Sequence, residues 1–256
     1  MAHALAPWVL VVLGLTAYVA GAVDAIVGGG GLINLPMLLL FGVPVQTALG
    51  TNKLAGIAGT ATATATFAAA RAIRWPIVVT GAIAAFVGGL LGAHTVLRID
   101  PGVLRIIVSV LLLVVSAVVA FRPRLGDADP SRAPHRSLWR SAAIGLTTGY
   151  YDGFFGPGAG VFMIFLYVAW LGLDFLAASG VVKATNFASN LGAIIVFAAA
   201  GTIDYRAGIV MAAGAIAGSF TGSRLALFAG AKFVRYVFLS VAWAVAIRLL
   251  LQALHR

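Results

Sequence analysis

Long apolar runs separated by short polar breaks constrain this chain more than any other feature. In the first half they predict five helices, at about 8–27, 32–41, 45–70, 75–96 and 102–121. A helix needs about 20 apolar residues to cross a bilayer, and all of these except the second are long enough. Only 9% of the residues are charged and 62% are hydrophobic, so the chain cannot build the charged surface of a soluble domain. We therefore predict an all-α polytopic membrane protein.

One polar stretch divides the chain into two apolar halves. It covers residues 122–140 (RPRLGDADPSRAPHRSLWR) and is rich in proline and charge. We predict a first transmembrane repeat over residues 1–121, a linker over 122–140 and a second transmembrane repeat over 141–256. The first apolar run lacks the Lys or Arg that precedes the core of a signal peptide, so we interpret it as a retained membrane helix.

The two halves resemble each other in sequence. With an offset of 128 positions, GAVDAIVGGG, which contains Asp24, aligns with GYYDGFFGPG, which contains Asp152. From the second helix onward the offset is 130, and it aligns Lys53 with Lys183. A period this long is typical of a transporter built from two repeats and is too long for a solenoid unit. Each repeat is expected to hold about four spanning helices, including broken or re-entrant segments.

The distribution of basic residues indicates how the chain is oriented. The linker carries five Arg and two Asp, and an excess of Lys and Arg is typical of cytoplasmic loops. Threading outward from a cytoplasmic linker places ten basic residues inside, five outside, and the N-terminus outside. The first half then starts outside and the second half starts inside. We therefore predict inverted repeats related by a pseudo-two-fold axis in the membrane plane, and a multi-pass protein of the cell (inner) membrane.

Two lysines lie inside predicted helices at equivalent positions of the two halves. Lys53 and Lys183 have small and polar neighbours, among them Asn52, Asn186 and Asn190. A lysine at membrane depth costs at least about 2.5–3.5 kcal/mol on insertion scales, so a matched pair argues against accident. We predict that these five residues bind a small anionic substrate. The alternative is that each lysine pairs with a buried aspartate or reaches a lipid headgroup.

A glycine-rich break interrupts each half before a short helix. GGGG includes Gly29 and Gly30, and GPGAG includes Gly158. A broken helix presents free backbone N–H groups and the positive end of its dipole, both of which favour an anion. In lipid such breaks are tolerated only where the backbone is buried or lines a cavity. We add the three glycines to the predicted substrate site, with tight helix packing as the alternative role.

A carboxylate precedes each break by one turn or less, Asp24 in the first half and Asp152 in the second. In a cavity of low dielectric constant, a carboxylate can take up a proton in one state of a transport cycle. We predict that one or both couple transport to protons. The alternative is a structural role, as a helix cap or as the partner of Lys53 or Lys183.

These motifs resemble the sulfite exporter TauE/SafE family, within its YfcA-like branch. The resemblance rests on DAIVGGGGLINLPMLLLFGVPVQTALGTNKL in the first half, and on GYYDGFFGPGAGVF and KATNFASN in the second. It implies a secondary transporter that exports sulfite, a sulfonate such as sulfoacetate, or a related organic anion. Because Pro157 interrupts the second glycine run, the two half-sites are not expected to be equivalent.

Other classes of function find little support in the sequence. There is no catalytic or metal-ligand constellation and no GxxxxGK[ST] motif, so we expect neither an enzyme nor a metal or other cofactor. The net charge of +10 comes without a basic patch interleaved with aromatic residues, so we expect no nucleic-acid partner. The expected partners are the anion and the lipid bilayer, with a homodimer left open. An uncoupled anion channel, or a permease for another small carboxylate, is the alternative function.

Overall fold

The computed structural model describes residues 5–73, 75–121 and 137–254, which form helices joined by short turns. The first half contains α1 (Pro7–Val27), α2 (Gly31–Leu40), α3 (Val45–Ala69), α4 (Trp75–Leu97) and α5 (Pro101–Phe121). The second half contains α6 (Leu138–Phe154), α7 (Ala159–Leu171), α8 (Phe175–Ala199) and α9 (Tyr205–Leu254), the last interrupted at Gly230. Across these ranges there is no β-strand, which confirms the all-α prediction.

The helix boundaries predicted in the first half are confirmed to within one residue at each end. The start of the second half differs. Helix α6 begins at Leu138, so the last three residues assigned to the linker belong to a helix. Leu138 and Trp139 are apolar and directly follow the N-cap residue Ser137, which explains why the helix starts before the last arginine of the linker. Residues 122–136 of the predicted linker lie outside the described residues.

Four of the described helices are long and apolar enough to cross a membrane. They are Pro7–Val27, Trp75–Leu97, Phe175–Ala199 and Tyr205–Gly230. Helix α3 is as long as α8, at 25 residues, but its threonines, with Asn52 and Lys53, make it less apolar.

Large apolar side chains cover the outer faces of the helices. Trp8, Leu15, Ile83 and Ile209 are between 63% and 65% exposed. Soluble proteins rarely leave extended apolar surface in water. Lipid is therefore the solvent that suits this surface.

Helices of one half pack closely against helices of the other. Helix α1 lies along α9, and in the equivalent arrangement α6 lies along α4. A Cβ atom on Gly21 would lie 2.7 Å from the carbonyl oxygen of Ala215, and one on Gly149 would lie 2.6 Å from that of Ala85. Both contacts are too close for any residue with a side chain. The residues are related by the same two offsets, 128 and 130, that align the halves in sequence.

The two glycine breaks meet inside the helical bundle. Helix α1 is followed by its C-cap residue Gly28, which has φ of 82°, and a Cβ atom on Gly28 would lie 2.5 Å from the Cα atom of Gly160. The helices that follow the breaks, α2 and α7, have 10 and 13 residues. At 1.5 Å per residue they are about 15–20 Å long, shorter than the hydrocarbon core of a bilayer. The prediction that the second helix is too short to cross is confirmed.

Candidate functional site

A polar cavity lies beside the contact between the two breaks. About 490 Å³ of non-protein space, including the opening of the cavity, lies between the lining residues. Helices α1, α2 and α3 line it from the first half, and α6, α8 and α9 line it from the second. Seven of the ten predicted site residues line this cavity: Asp24, Gly30, Asn52, Lys53, Asp152, Asn186 and Asn190.

Lys53 on α3 and Asp152 on α6 form an ion pair between the two halves. The Lys53 Nζ atom lies 2.8 Å from Asp152 Oδ1, and the two side chains are only 2% and 5% exposed. The other carboxylate oxygen, Oδ2, accepts a hydrogen bond of 2.5 Å from the Ser189 hydroxyl. Both oxygens of Asp152 are therefore engaged. Removing one member of such a buried pair typically costs about 3–5 kcal/mol, because a charge is left without a partner.

Two asparagines on α8 present an ordered amide face to the cavity. Asn190 Nδ2 donates to Asn186 Oδ1 at 2.9 Å and to the carbonyl oxygen of Asn186 at 2.9 Å. The spacing of four residues places both side chains on the same face of the helix. The Asn190 amide reaches α3, where a Cβ atom on Gly56 would lie 3.2 Å from its Oδ1 atom.

The counterpart residues, Asp24 and Lys183, make different contacts. Asp24 Oδ1 accepts a hydrogen bond of 3.1 Å from the N–H group of Gly30, the N-cap residue of α2. Lys183 is fully buried, and its Nζ atom donates to the main-chain oxygen of Asp24 instead of its carboxylate. Lys183 therefore reaches the end of α1 but does not line the cavity.

The two remaining predicted residues, Gly29 and Gly158, lie in the breaks without lining the cavity. The carbonyl oxygen of Gly29 accepts a hydrogen bond of 3.1 Å from the N–H group of Leu32, at the start of α2. Gly158 is the N-cap residue of α7 and has φ of 79°, a conformation that favours glycine. In this arrangement both glycines shape the start of a short helix.

Three polar residues that line the cavity were not predicted from the sequence: Asn34 on α2, Thr60 on α3 and Ser219 on α9. The Thr60 hydroxyl donates to a carbonyl oxygen of its own helix, and the Ser219 hydroxyl donates to the carbonyl oxygen of Gly21. Asn34 is 5% exposed, and within the described ranges its Oδ1 atom has no hydrogen-bond partner. Asn34 is the polar residue of an otherwise apolar helix, GLINLPMLLL, and that signal could have identified it.

The aspartates of the described residues fall into two groups. Asp100, Asp174 and Asp204 each accept a hydrogen bond from an N–H group in the first turn of a helix. This is the usual capping role of aspartate. Asp24 and Asp152 are therefore the two carboxylates of this part of the chain that face the cavity.

The cavity brings together charged, amide and backbone groups from both halves of the chain. It is lined by the Lys53 ammonium, two carboxylates, four asparagine amides and the first turn of α2. In the described ranges, no cluster of three or more His, Cys, Asp or Glu could hold a metal ion. The arrangement suits a small polar ion, held by hydrogen bonds and charge.

Comparison with known proteins identifies relatives over nearly the whole chain. Residues 13–249 match the family model described as Sulfite exporter TauE/SafE. The "Probable membrane transporter protein ORF9" of Sinorhizobium sp. is 35% identical over 246 residues, covering 96% of this chain and 94% of that protein. The "Probable membrane transporter protein YfcA" of Escherichia coli K12 is 34% identical over 244 residues, covering 95% of this chain and 90% of that protein. No solved structure matches the chain significantly.

Proposed function

Because the chain belongs to the sulfite exporter TauE/SafE family, we propose that it is a secondary active transporter that exports a small anion. The chain is an integral membrane protein, and its relatives are named as membrane transporters, which supports transport over an enzymatic activity. The proposed substrate is sulfite, a sulfonate such as sulfoacetate, or a related organic anion. The proposed location is the cell (inner) membrane. The observation that carries the proposal is the polar cavity beside the contact between two broken helices.

The substrate anion is proposed to bind between α3 and the start of α2. Lys53 supplies a positive charge there, and the amide of the neighbouring Asn52 lines the same cavity. At the start of α2 the Gly31 N–H group has no intrahelical acceptor by its position, and the positive end of the helix dipole lies there too. Lys183 adds positive charge from behind Asp24 without touching the anion.

Proton coupling is assigned first to Asp24 and second to Asp152. The Asp24 carboxylate accepts the Gly30 N–H group at the start of α2, next to the proposed anion site, and forms no ion pair among the described residues. When deprotonated it repels an incoming anion, and when protonated it does not. Binding of the anion and protonation of Asp24 are therefore linked, because linkage between two sites is reciprocal. Asp152 is held by Lys53 and Ser189, which leaves it less free to exchange a proton.

Alternating access is proposed to rest on inverted repeats. The pairing of α1 with α9 and of α6 with α4 is equivalent under the offsets that align the two halves, which supports a repeated architecture. The inverted orientation is testable because the chain contains no cysteine. A single cysteine at Ala128 should react with a membrane-impermeant reagent only from the cytoplasm, and one at Ala2 only from outside. Labelling of both from the same side would contradict the inverted arrangement.

The proposed function is tested by transport in proteoliposomes. Purified protein should concentrate radiolabelled sulfite or sulfoacetate above its equilibrium distribution when a pH gradient is imposed. Addition of a protonophore should abolish that accumulation, since the gradient is its energy source. Equilibration without accumulation would instead indicate the alternative, an uncoupled anion channel. Absence of both would reject anion transport for these substrates.

A further inference from the structure

We infer that Asn34 and the first turn of α2 form an oxyanion subsite, which the second short helix, α7, does not duplicate. The inference deepens the proposed anion transport and rests on it. It assigns a specificity-determining role to a residue that lies outside the lysine, aspartate and glycine motifs.

The first observation is the state of the Asn34 side chain. Asn34 is 5% exposed and lines the cavity. In the part of the chain that the structure describes, its Oδ1 atom is shielded and has no donor, which leaves Nδ2 as the accessible end of the amide. A buried polar atom without a partner lowers stability. A bound anion cannot supply the donor that Oδ1 lacks, but it can accept a hydrogen bond from Nδ2, the end of the amide that stays accessible from the cavity.

The second observation is the position of Asn34 on α2. Its own N–H group donates to the carbonyl oxygen of Gly30, the N-cap residue, so Asn34 lies one turn into the helix. In the same turn, the N–H group of Gly31 has no intrahelical acceptor by its position, and Gly31 also lines the cavity. Side-chain and backbone donors therefore converge where the helix dipole favours negative charge.

The third observation is the contrast with the second half. The counterparts of Asn34 on α7 are Phe162 by the offset of 128 and Ile164 by the offset of 130, and both are apolar. Ile164 is fully buried, and no described residue of α7 lines the cavity. The second short helix therefore offers no equivalent donors, and the subsite is one-sided.

The chemistry of the subsite favours a small oxyanion. It offers N–H donors from Asn34 and Gly31, and the Lys53 ammonium faces the same cavity from α3. A sulfite or sulfonate group has three oxygens that can accept from these donors at once. Helix α2 carries no titratable residue, so its donors stay available at any pH, and Asp24 is the nearby group that competes with the anion.

The test compares two substitutions at the same position. Asn34→Leu removes the amide at similar size, and Asn34→Asp keeps the shape but replaces the donor with a carboxylate. Binding of sulfite and sulfoacetate is measured by titration calorimetry on purified protein in detergent at neutral pH. We expect Asn34→Leu to bind at least about tenfold more weakly, the lower end for a hydrogen bond to a charged group, and Asn34→Asp to bind more weakly still. The ligand-free Asn34→Leu protein should unfold at a temperature no lower than the wild type, because it loses an unpaired buried polar group.

The matched control is Ile164→Leu in α7, which conserves volume at the counterpart position and should leave affinity unchanged. Wild-type affinity in both Asn34 variants would overturn the inference. Stronger binding by Asn34→Asp than by Asn34→Leu would also overturn it, since that order indicates a structural need for polarity. Failure of both variants to fold would assign the amide to the fold and reject the subsite. If the wild type binds neither anion, the proposed function fails for these substrates before the variants are compared.

Discussion

Two contacts between the halves each join a lysine of one half to an aspartate of the other. They occupy equivalent positions but differ in the atoms that they join. In one, Lys53 pairs with the carboxylate of Asp152. In the other, Lys183 donates to the main-chain oxygen of Asp24 and leaves the carboxylate to a backbone N–H group. Lysine and aspartate at equivalent positions thus form an ion pair in one case. In the other case the carboxylate accepts a single backbone N–H group.

A single substitution between the halves contributes to this difference. The second half has Ser189, whose hydroxyl donates to Asp152 Oδ2 at 2.5 Å. The first half has Gly59 at the position 130 residues earlier, so it offers no hydroxyl at the equivalent place. A carboxylate engaged at both oxygens is well suited to hold two helices together. A carboxylate with one main-chain donor is better suited to exchange a proton, which is why the comparison favours Asp24 for coupling.

The largest effect is expected from Asp24→Asn, which keeps the shape of the side chain and removes its titration. This variant should lose uphill export in proteoliposomes entirely while retaining counterflow exchange, because exchange needs the anion site but no net proton movement. The matched variant Asp152→Asn, where it folds, should still concentrate the anion. If Asp24→Asn pumps against a gradient, Asp24 is structural and the contrast between the half-sites has no role in coupling.

The next effect concerns stability. Lys53→Met should lower the free energy of unfolding by about 3–5 kcal/mol, because Asp152 then remains buried without its partner. Lys183→Met should change it far less, since that lysine donates to a carbonyl oxygen and its burial is itself costly. Both values come from denaturant unfolding in detergent micelles. The double variant Lys53→Met/Asp152→Asn should recover part of the loss, and equal losses in the two single variants would contradict the comparison.

Anion affinity should change by a smaller amount. Lys53→Met and Lys183→Met should each weaken binding of sulfite by about 1.5–3 kcal/mol, with Lys183→Met at the lower end because its side chain does not line the cavity. Replacement of either lysine by arginine should also weaken anion binding, because the planar guanidinium group does not fit a site shaped for a compact ammonium group. The Lys53 measurement is best repeated in the Asp152→Asn background, where folding is protected. Unchanged affinity in both single variants would place the substrate elsewhere.

The smallest effect is expected from the serine that distinguishes the halves. Ser189→Ala should lower the free energy of unfolding by about 1.5 kcal/mol, since its hydroxyl donates to a charged group. Ser219→Ala is the matched control, because its hydroxyl donates to the neutral carbonyl oxygen of Gly21 at 3.2 Å. Its loss should be about 1 kcal/mol or less. If Ser219→Ala lowers the free energy of unfolding more than Ser189→Ala in the same assay, the Ser189 hydroxyl does not hold the Asp152 carboxylate in the way described above.

The helices were predictable because their signals are local. A run of apolar residues ends at glycine, proline or charge, so boundaries such as Val27 and Val45 follow from the sequence itself. The start of α6 was misplaced because Arg140 was counted with the linker. Arg140 is the third residue of α6, and its guanidinium group donates to the carbonyl oxygen of Trp170. This contact depends on the tertiary structure and could not be predicted from the local sequence.

The sequence predicted which types of residue form the candidate site. It was less able to predict every residue that lines the cavity. Lys53 and Asp152 stand out because charge inside an apolar run is costly and therefore conspicuous. Asn34 does not stand out in the same way, because a lone asparagine is uncharged and can satisfy itself locally in many helices. Its lack of a partner emerges only when the residues around it are in place.

By itself, the sequence determined that this chain suits lipid, that its two halves resemble each other, and that charge and helix breaks coincide twice. These properties follow from the composition of the chain and from the spacing of its residues, both of which can be read from the sequence alone. Only the tertiary structure decided which lysine meets which acid, because each pair joins residues from different halves, about 100 or more positions apart. The orientation of a carboxylate depends on the donors that surround it in space. That is why the two matching motifs form one buried ion pair and one carboxylate that accepts a single backbone N–H group.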